Sequence, residues 1–160
     1  MRLPKNELRE LEKELQKLIS SQAAEQFRLP QEAVEFATKI LGFKPLSYQQ
    51  RLLEDRSKRI VVRMCRQSGK TTTIAVRAIW FAATHSRTLT LIVSPSLRQS
   101  MIMMDRVQGF LMSVPEKTRR KFIQKMQRTV IWFRNGSQIV ALPFSWYCKN
   151  NFLWIEFKEI

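Results

Sequence analysis

The stretch from Ile60 to Thr72 limits the possible folds of this chain more than any other. The β-branched run Ile60-Val61-Val62 leads through Arg63-Met64 into Cys65-Arg66-Gln67-Ser68-Gly69-Lys70-Thr71-Thr72, and a helical pattern begins at once. An apolar strand, a short loop and a helix in that order are the setting of a phosphate-binding loop. Successive backbone N–H groups in such a loop converge as an anion-binding nest. The helix N-terminus adds unpaired donors and the positive end of its dipole. Lys70 is placed to reach the β- and γ-phosphates and the Thr71 hydroxyl to ligate Mg²⁺, which makes ATP and Mg²⁺ the expected cofactors. Gly69 lets the backbone approach the phosphates with no Cβ in the way. Against the spacing G-x-x-x-x-G-K-[ST], Met64 stands where the first glycine belongs. Gly-Lys-Thr alone is a weak signal, so the flanking elements and a second motif upstream carry the reading.

That second motif lies in Gly42-Phe43-Lys44-Pro45-Leu46-Ser47-Tyr48-Gln49-Gln50. Ser47 as N-cap with Gln50 as its reciprocal partner predicts a short helix from Tyr48 to about Asp55. Its first turn would bring Tyr48 and Gln49 close to the strand that feeds the loop. A glutamine amide offers a donor and an acceptor side by side, which suits an adenine edge, and an aromatic ring before it can stack on the base. The candidate nucleotide-binding set is therefore Tyr48, Gln49, Cys65, Arg66, Gln67, Ser68, Gly69, Lys70, Thr71 and Thr72, with Thr71 as the metal ligand.

The rest of the chain is expected to build an α/β layer around this loop. Leu8, Leu11, Leu15, Leu18 and Ile19 form one stripe at helical spacing within residues 5–27, and Pro30 opens a second helix, Gln31 to Leu41, stopped by Gly42. Thr71 to Ala83 is a largely buried helix. Thr88 to Val93 is a strand apolar on both faces at its end, as parallel sheets require. Ser96 caps a helix from Leu97 to about Val114, and Pro115 starts another, Glu116 to Gln127. Strands Arg128 to Arg134 and Ser137 to Leu142 are joined by Asn135-Gly136, the signature of a type I′ hairpin. Strand, loop, helix, strand and helix in succession imply a right-handed parallel unit. Beyond Pro143 only Phe152 to Phe157 has a strand-like pattern.

At 160 residues the chain is one domain's worth, and its 44% hydrophobic content is that of a globular protein. The longest apolar stretch, Ile74 to Ala83, is interrupted by Arg77 and too short to span a bilayer. With no signal-peptide pattern at the N-terminus, a soluble, cytoplasmic protein with no membrane partner is expected. Two cysteines far apart and one histidine, His85, cannot make a zinc site of the usual ligand count. The formal charge is +15, and residues 56–155 hold 18 Lys/Arg against Asp105 and Glu116 alone. Such a body suggests a polyanionic partner, most simply nucleic acid. Lys117, Arg120, Lys121 and Lys125, three or four apart on the expected helix, are the candidate phosphate-backbone contacts, with Phe122 and Met126 facing inward.

A hydrolysing enzyme of this kind also needs an apolar strand ending in Asp to hold Mg²⁺ through water, and a neighbouring carboxylate to orient the attacking water. Ile102-Met103-Met104-Asp105 fits the bare pattern but falls inside the helix opened by Ser96, and Leu153-Trp154-Ile155-Glu156 has Glu where Asp belongs. Nucleotide binding is thus expected without turnover.

Taken in order, Tyr48-Gln49, Cys65 to Thr71, Val93-Ser94-Pro95-Ser96-Leu97-Arg98-Gln99-Ser100 and the Asn135-Gly136 hairpin running into Ile139-Val140-Ala141-Leu142-Pro143 resemble the ATPase domain of the large terminase subunit, the DNA-packaging motor of tailed viruses. The family's loop often lacks its first glycine and carries Arg-Gln before Gly-Lys-Thr. The resemblance covers Phe43 to Pro143. It implies a RecA-like P-loop parallel sheet of the ASCE type flanked by helices, incomplete at the C-terminus: residues 1–42 a helical extension, 43–143 the partial ATPase core, 144–160 a divergent tail. It also implies adenine recognition by Tyr48 and Gln49, and catalytic roles for Arg66 as the loop arginine and for Lys70. The implied partners are double-stranded DNA, a portal, a small terminase subunit and further copies in a ring, in the host cell cytoplasm. The family's Asp-Glu strand and nuclease domain have no counterpart after Pro143. Phe152 to Phe157 is then expected to fill part of the gap that the absent strand leaves. A helicase-like translocase fragment, or a basic DNA-binding module with a vestigial loop, are the competing readings.

Overall fold

The computed structural model describes residues 29–57 and 60–143, the backbone of 154–159, and Lys13. The long amphipathic segment expected in 5–27 lies outside the described residues, as do residues 144–153. The elements are α1 (Ala33–Lys39), α2 (Ser47–Glu54), α3 (Lys70–Thr84), β1 (Thr88–Ser94), α4 (Leu97–Ser113), α5 (Glu116–Phe122), β2 (Ile123–Met126), β3 (Val130–Phe133), β4 (Gln138–Pro143) and β5 (Trp154–Glu159).

The protein is α/β, with helices against a mixed sheet of order β2-β3-β4-β1-β5. β1 and β4 run parallel, joined through α4, α5 and the β2–β3 pair. The β2–β3, β3–β4 and β1–β5 pairs are antiparallel. The expectation of a parallel sheet is therefore corrected on two counts. Ile60 to Met64 forms no strand, and Val61 is 95% exposed. β1 is already paired along both edges, by β4 and β5, so no ladder position beside it is open to that segment. In addition, the helix after Pro115 stops at Phe122 rather than Gln127. Ile123–Met126 instead extends along β3, with Ile123 opposite Phe133 and Met126 opposite Ile131.

One apolar cluster unites the helices with the inner face of the sheet: Phe36 and Ala37 of α1, Val76 and Ile79 of α3, Met103, Met104, Val107 and Leu111 of α4, and Ile92, Ile131, Phe133, Ile139 and Ala141 of the strands. Residues 33–41, at the end of the expected extension, thus bury into the same core. In α4 the buried positions 100, 103, 104, 107 and 111 follow the helical repeat, and the Ser96 hydroxyl accepts from Gln99 N–H at 3.4 Å as its cap. β1 alternates strictly. Thr88, Thr90, Ile92 and Ser94 are buried, while Leu89, Leu91 and Val93 are only half-buried, so of its four aliphatic residues only Ile92 is on the buried face. The expected burial of both faces is not seen among the described residues, and the layer is helix on sheet.

The Asn135-Gly136 turn joins β3 and β4, but not as type I′, which needs positive φ at both central residues. Of the pair only Gly136 has positive φ, 84°. Gly136 N–H donates to Phe133 O at 3.2 Å and Phe133 N–H to Ser137 O at 2.9 Å, the pattern of a three-residue loop closed by a left-handed bulge. The longer loop frees the Asn135 side chain for tertiary use. Its amide donates to Ala82 O at 2.8 Å, Ala83 O at 3.2 Å and His85 O at 2.9 Å, covering carbonyls that the end of α3 leaves unpaired.

Candidate phosphate-binding loop

The loop and the upstream motif meet in space, though they are held differently from the expectation. α2 begins one residue earlier than predicted: its N-cap is Leu46, and Ser47 is the first helical residue. Gln49, not Gln50, is then the third position, and its Oε1 accepts from Leu46 N–H at 2.9 Å. The other end of the Gln49 amide donates to Ser68 O at 3.2 Å, and the Tyr48 hydroxyl donates to the same oxygen at 3.0 Å. Gln49 is 5% exposed and Tyr48 40%. Both atoms of the Gln49 amide are thus engaged by the protein itself, and what Gln49 grips is the loop.

Within the loop, Gln67 (φ 61°) and Gly69 (φ 76°) are left-handed, with Ser68 between them at negative φ. This alternation of hand turns successive N–H groups toward one point. The Ser68 hydroxyl donates to Cys65 O at 2.9 Å, closing the loop on itself. α3 starts at Lys70 with Gly69 as its cap, and among the described residues no acceptor takes the N–H of Gly69, Lys70, Thr71 or Thr72. Those donors lie in the first turn of a 15-residue helix, where the dipole is positive. A Cβ built on Gly69 would stand 2.6 Å from Gln49 Nε2, so glycine is required both by its φ and by the close approach of α2.

Arg63, Cys65, Arg66 and Gln67 are exposed, and Lys70, Thr71 and Thr72 are half-buried. Neither Arg66 nor Lys70 enters an ion pair among the described residues. Convergent N–H groups and two unpaired cations are donors suited to a polyphosphate. For Mg²⁺ the site offers the Thr71 hydroxyl, while the described residues contain no cluster of metal-ligating side chains. Asp105 is on the exposed side of α4, where it lines a groove of about 520 Å³ with Arg98, Ile102 and Arg128. Glu156 lies within β5 opposite Leu91, not at a strand end. Neither supplies the acidic residue at the C-terminal end of a parallel strand that hydrolysis calls for. Neither that groove nor the cavity of about 340 Å³ beside Ala83, Phe122 and Asn135 touches the loop. A backbone nest is a shallow feature, so geometry and not cavity size locates this site.

The predicted basic face is divided. Lys117, Arg120 and Lys121 lie on α5, with Arg120 paired to Glu116, whereas Lys125 is on β2 with its ammonium 5.6 Å from the Trp132 ring centroid. The helix ended too early to carry all four.

Sequence reasoning passed over Arg77, registering it only as an interruption in an apolar run. Its guanidinium, drawn below its ordinary pKa by burial, donates to Leu52 O and Asp55 O at the end of α2. The local sequence around Asn135 signals a turn and nothing of its contacts with the end of α3. A charged residue on the inward side of an otherwise apolar helix was the available signal for Arg77. Among the described residues no helix is long and apolar enough to cross a membrane.

Fold and loop together define an α/β protein with a nest-shaped loop at the head of a helix. No protein-family model matches the chain, and no curated protein matches it.

Proposed function

We propose that this chain is the nucleotide-binding part of a RecA-like P-loop ATPase of the large-terminase type, binding ATP through residues 65–72 and acting on double-stranded DNA. The observation that carries the reading is the grip of Tyr48 and Gln49 on Ser68 O. Two motifs twenty residues apart, chosen from sequence for one ligand, meet at one carbonyl. The nest takes the polyphosphate, Lys70 neutralises its charge, Thr71 offers a hydroxyl to Mg²⁺, and Arg66 at the loop's exposed flank is the residue for the terminal phosphate. Mg²⁺ would balance phosphate charge at Thr71 when bound. Because Ile60 to Met64 stays outside the sheet, the loop is braced from the side by α2 rather than from behind by a strand. The strand Trp154–Glu159 holds the edge of β1 in antiparallel pairing, in keeping with a tail that closes a sheet lacking its Asp-bearing strand. Contacts with a portal, a small subunit and further copies in a ring belong to the same proposal and rest on resemblance.

The test is titration with a fluorescent ATP analogue, with Lys70→Ala as control, followed by DNA binding and phosphate release. Saturable binding that Lys70→Ala abolishes, with negligible phosphate release, supports the reading. Binding to DNA alone, untouched by Lys70→Ala, replaces it with a basic DNA-binding module whose loop is vestigial.

A further inference from the structure

We infer that Arg77 is the positioning residue of the phosphate-binding loop, acting through α2. α2 has eight residues, too few to hold helical form or a fixed place by itself. It is tied to the rest of the protein at both ends. At its start, Tyr48 and Gln49 clasp Ser68 O. At its end, the carbonyls of Leu52 and Asp55, which the helix cannot satisfy internally, both accept from the Arg77 guanidinium. A cation there also meets the negative end of the α2 dipole. Leu52 and Leu53 are buried between the two ties, so the helix rests on an apolar side while polar contacts fix its axial position. Arg77 lies on α3 two turns beyond Lys70. One rigid helix therefore carries both the loop at its head and the anchor that sets where α2, and hence the clasp on the loop, must sit. A planar fork suits two carbonyls at once. Lysine keeps the charge and reaches only one of them in the same geometry.

This role deepens the nucleotide reading of the loop, yet it has a nucleotide-free readout. Limited trypsin digestion of the full chain would follow cleavage after Arg63 and Arg66 relative to cleavage after Lys117, which reports general opening. Arg77→Ala is expected to raise that ratio at least fivefold and Arg77→Lys to give an intermediate value. A merely structural loss would accelerate all sites together. With the fluorescent ATP analogue, Arg77→Ala and Gln49→Ala should each weaken binding about tenfold and, combined, by little more than either alone, because both act through one clasp. Fully multiplied effects would overturn the inference, as would an unchanged cleavage ratio in Arg77→Lys and Arg77→Ala. If the wild type fails to bind the analogue while the ratio still rises, the nucleotide reading fails and the brace stands. If Arg77→Ala does not fold, Arg77→Lys decides the matter on the ratio alone.

Discussion

Replacing Gly69 by alanine tests the geometry of the loop directly. Two costs add. An alanine held at φ 76° meets the left-handed penalty of about 1–2 kcal/mol. Its Cβ would also come within 2.6 Å of Gln49 Nε2, so the amide must swing away from Ser68 O and forfeit a hydrogen bond worth about 0.5–1.5 kcal/mol. The sum is about 1.5–3.5 kcal/mol, which for a chain of this size lowers Tm by roughly 3–14 °C. Urea and thermal unfolding followed by tryptophan fluorescence would measure it. Gly109, in the middle of α4 with nothing within 4 Å of a built Cβ, is the internal control: Gly109→Ala should stabilise by about 0.5–1 kcal/mol. Combining Gly69→Ala with Gln49→Ala should cost less than the sum of the two, because the collision vanishes while the backbone penalty stays. A Gly69→Ala variant within about 0.5 kcal/mol of wild type, with Gly109→Ala behaving as stated, would refute the reasoning.

Four further outcomes are expected. Asn135→Ala should destabilise by about 1–2 kcal/mol in urea titration through loss of the carbonyl cover at the end of α3, and Asn135→Asp should cost more, since it turns an acceptor toward three acceptors at the negative end of a helix. Thr90 Oγ1 is buried with no hydrogen-bond partner among the described residues, so Thr90→Val, of nearly the same shape, should stabilise by about 1 kcal/mol in the same assay. The Asp55 carboxylate is held below its ordinary value of 3.8 by hydrogen bonds from Ser57, so its contribution is present above that pH and fades as pH falls through the lowered value; the stability gap between wild type and Asp55→Asn should narrow in urea titrations taken below that pH. If α5 meets a DNA backbone, Lys117→Ala with Lys121→Ala should flatten the plot of log affinity against log salt by about two, and an unchanged slope would remove this face from the interface.

The sequence by itself determined where most of the helices and strands lie, and which residues form the loop. Periodicity placed α3, β1 and α4 within a residue or two, because apolar repeats and caps such as Ser96 act locally. Gly-Lys-Thr at a helix start and Tyr48-Gln49 before it were legible for the same reason. What tertiary structure decided was everything that depends on competition between distant segments. Ile60 to Met64 has the composition of a strand, but β4 and β5 take both edges of β1, so the segment has no ladder position beside that strand. Ile123–Met126 continues a helical pattern in sequence and becomes a strand because β3 offers it a partner, which divides the basic face. The amide of Gln49 and the guanidinium of Arg77 could be assigned to their carbonyls only once α2 was laid against α3, since a side chain's hydrogen-bond partner depends on proximity in space, which local sequence does not encode.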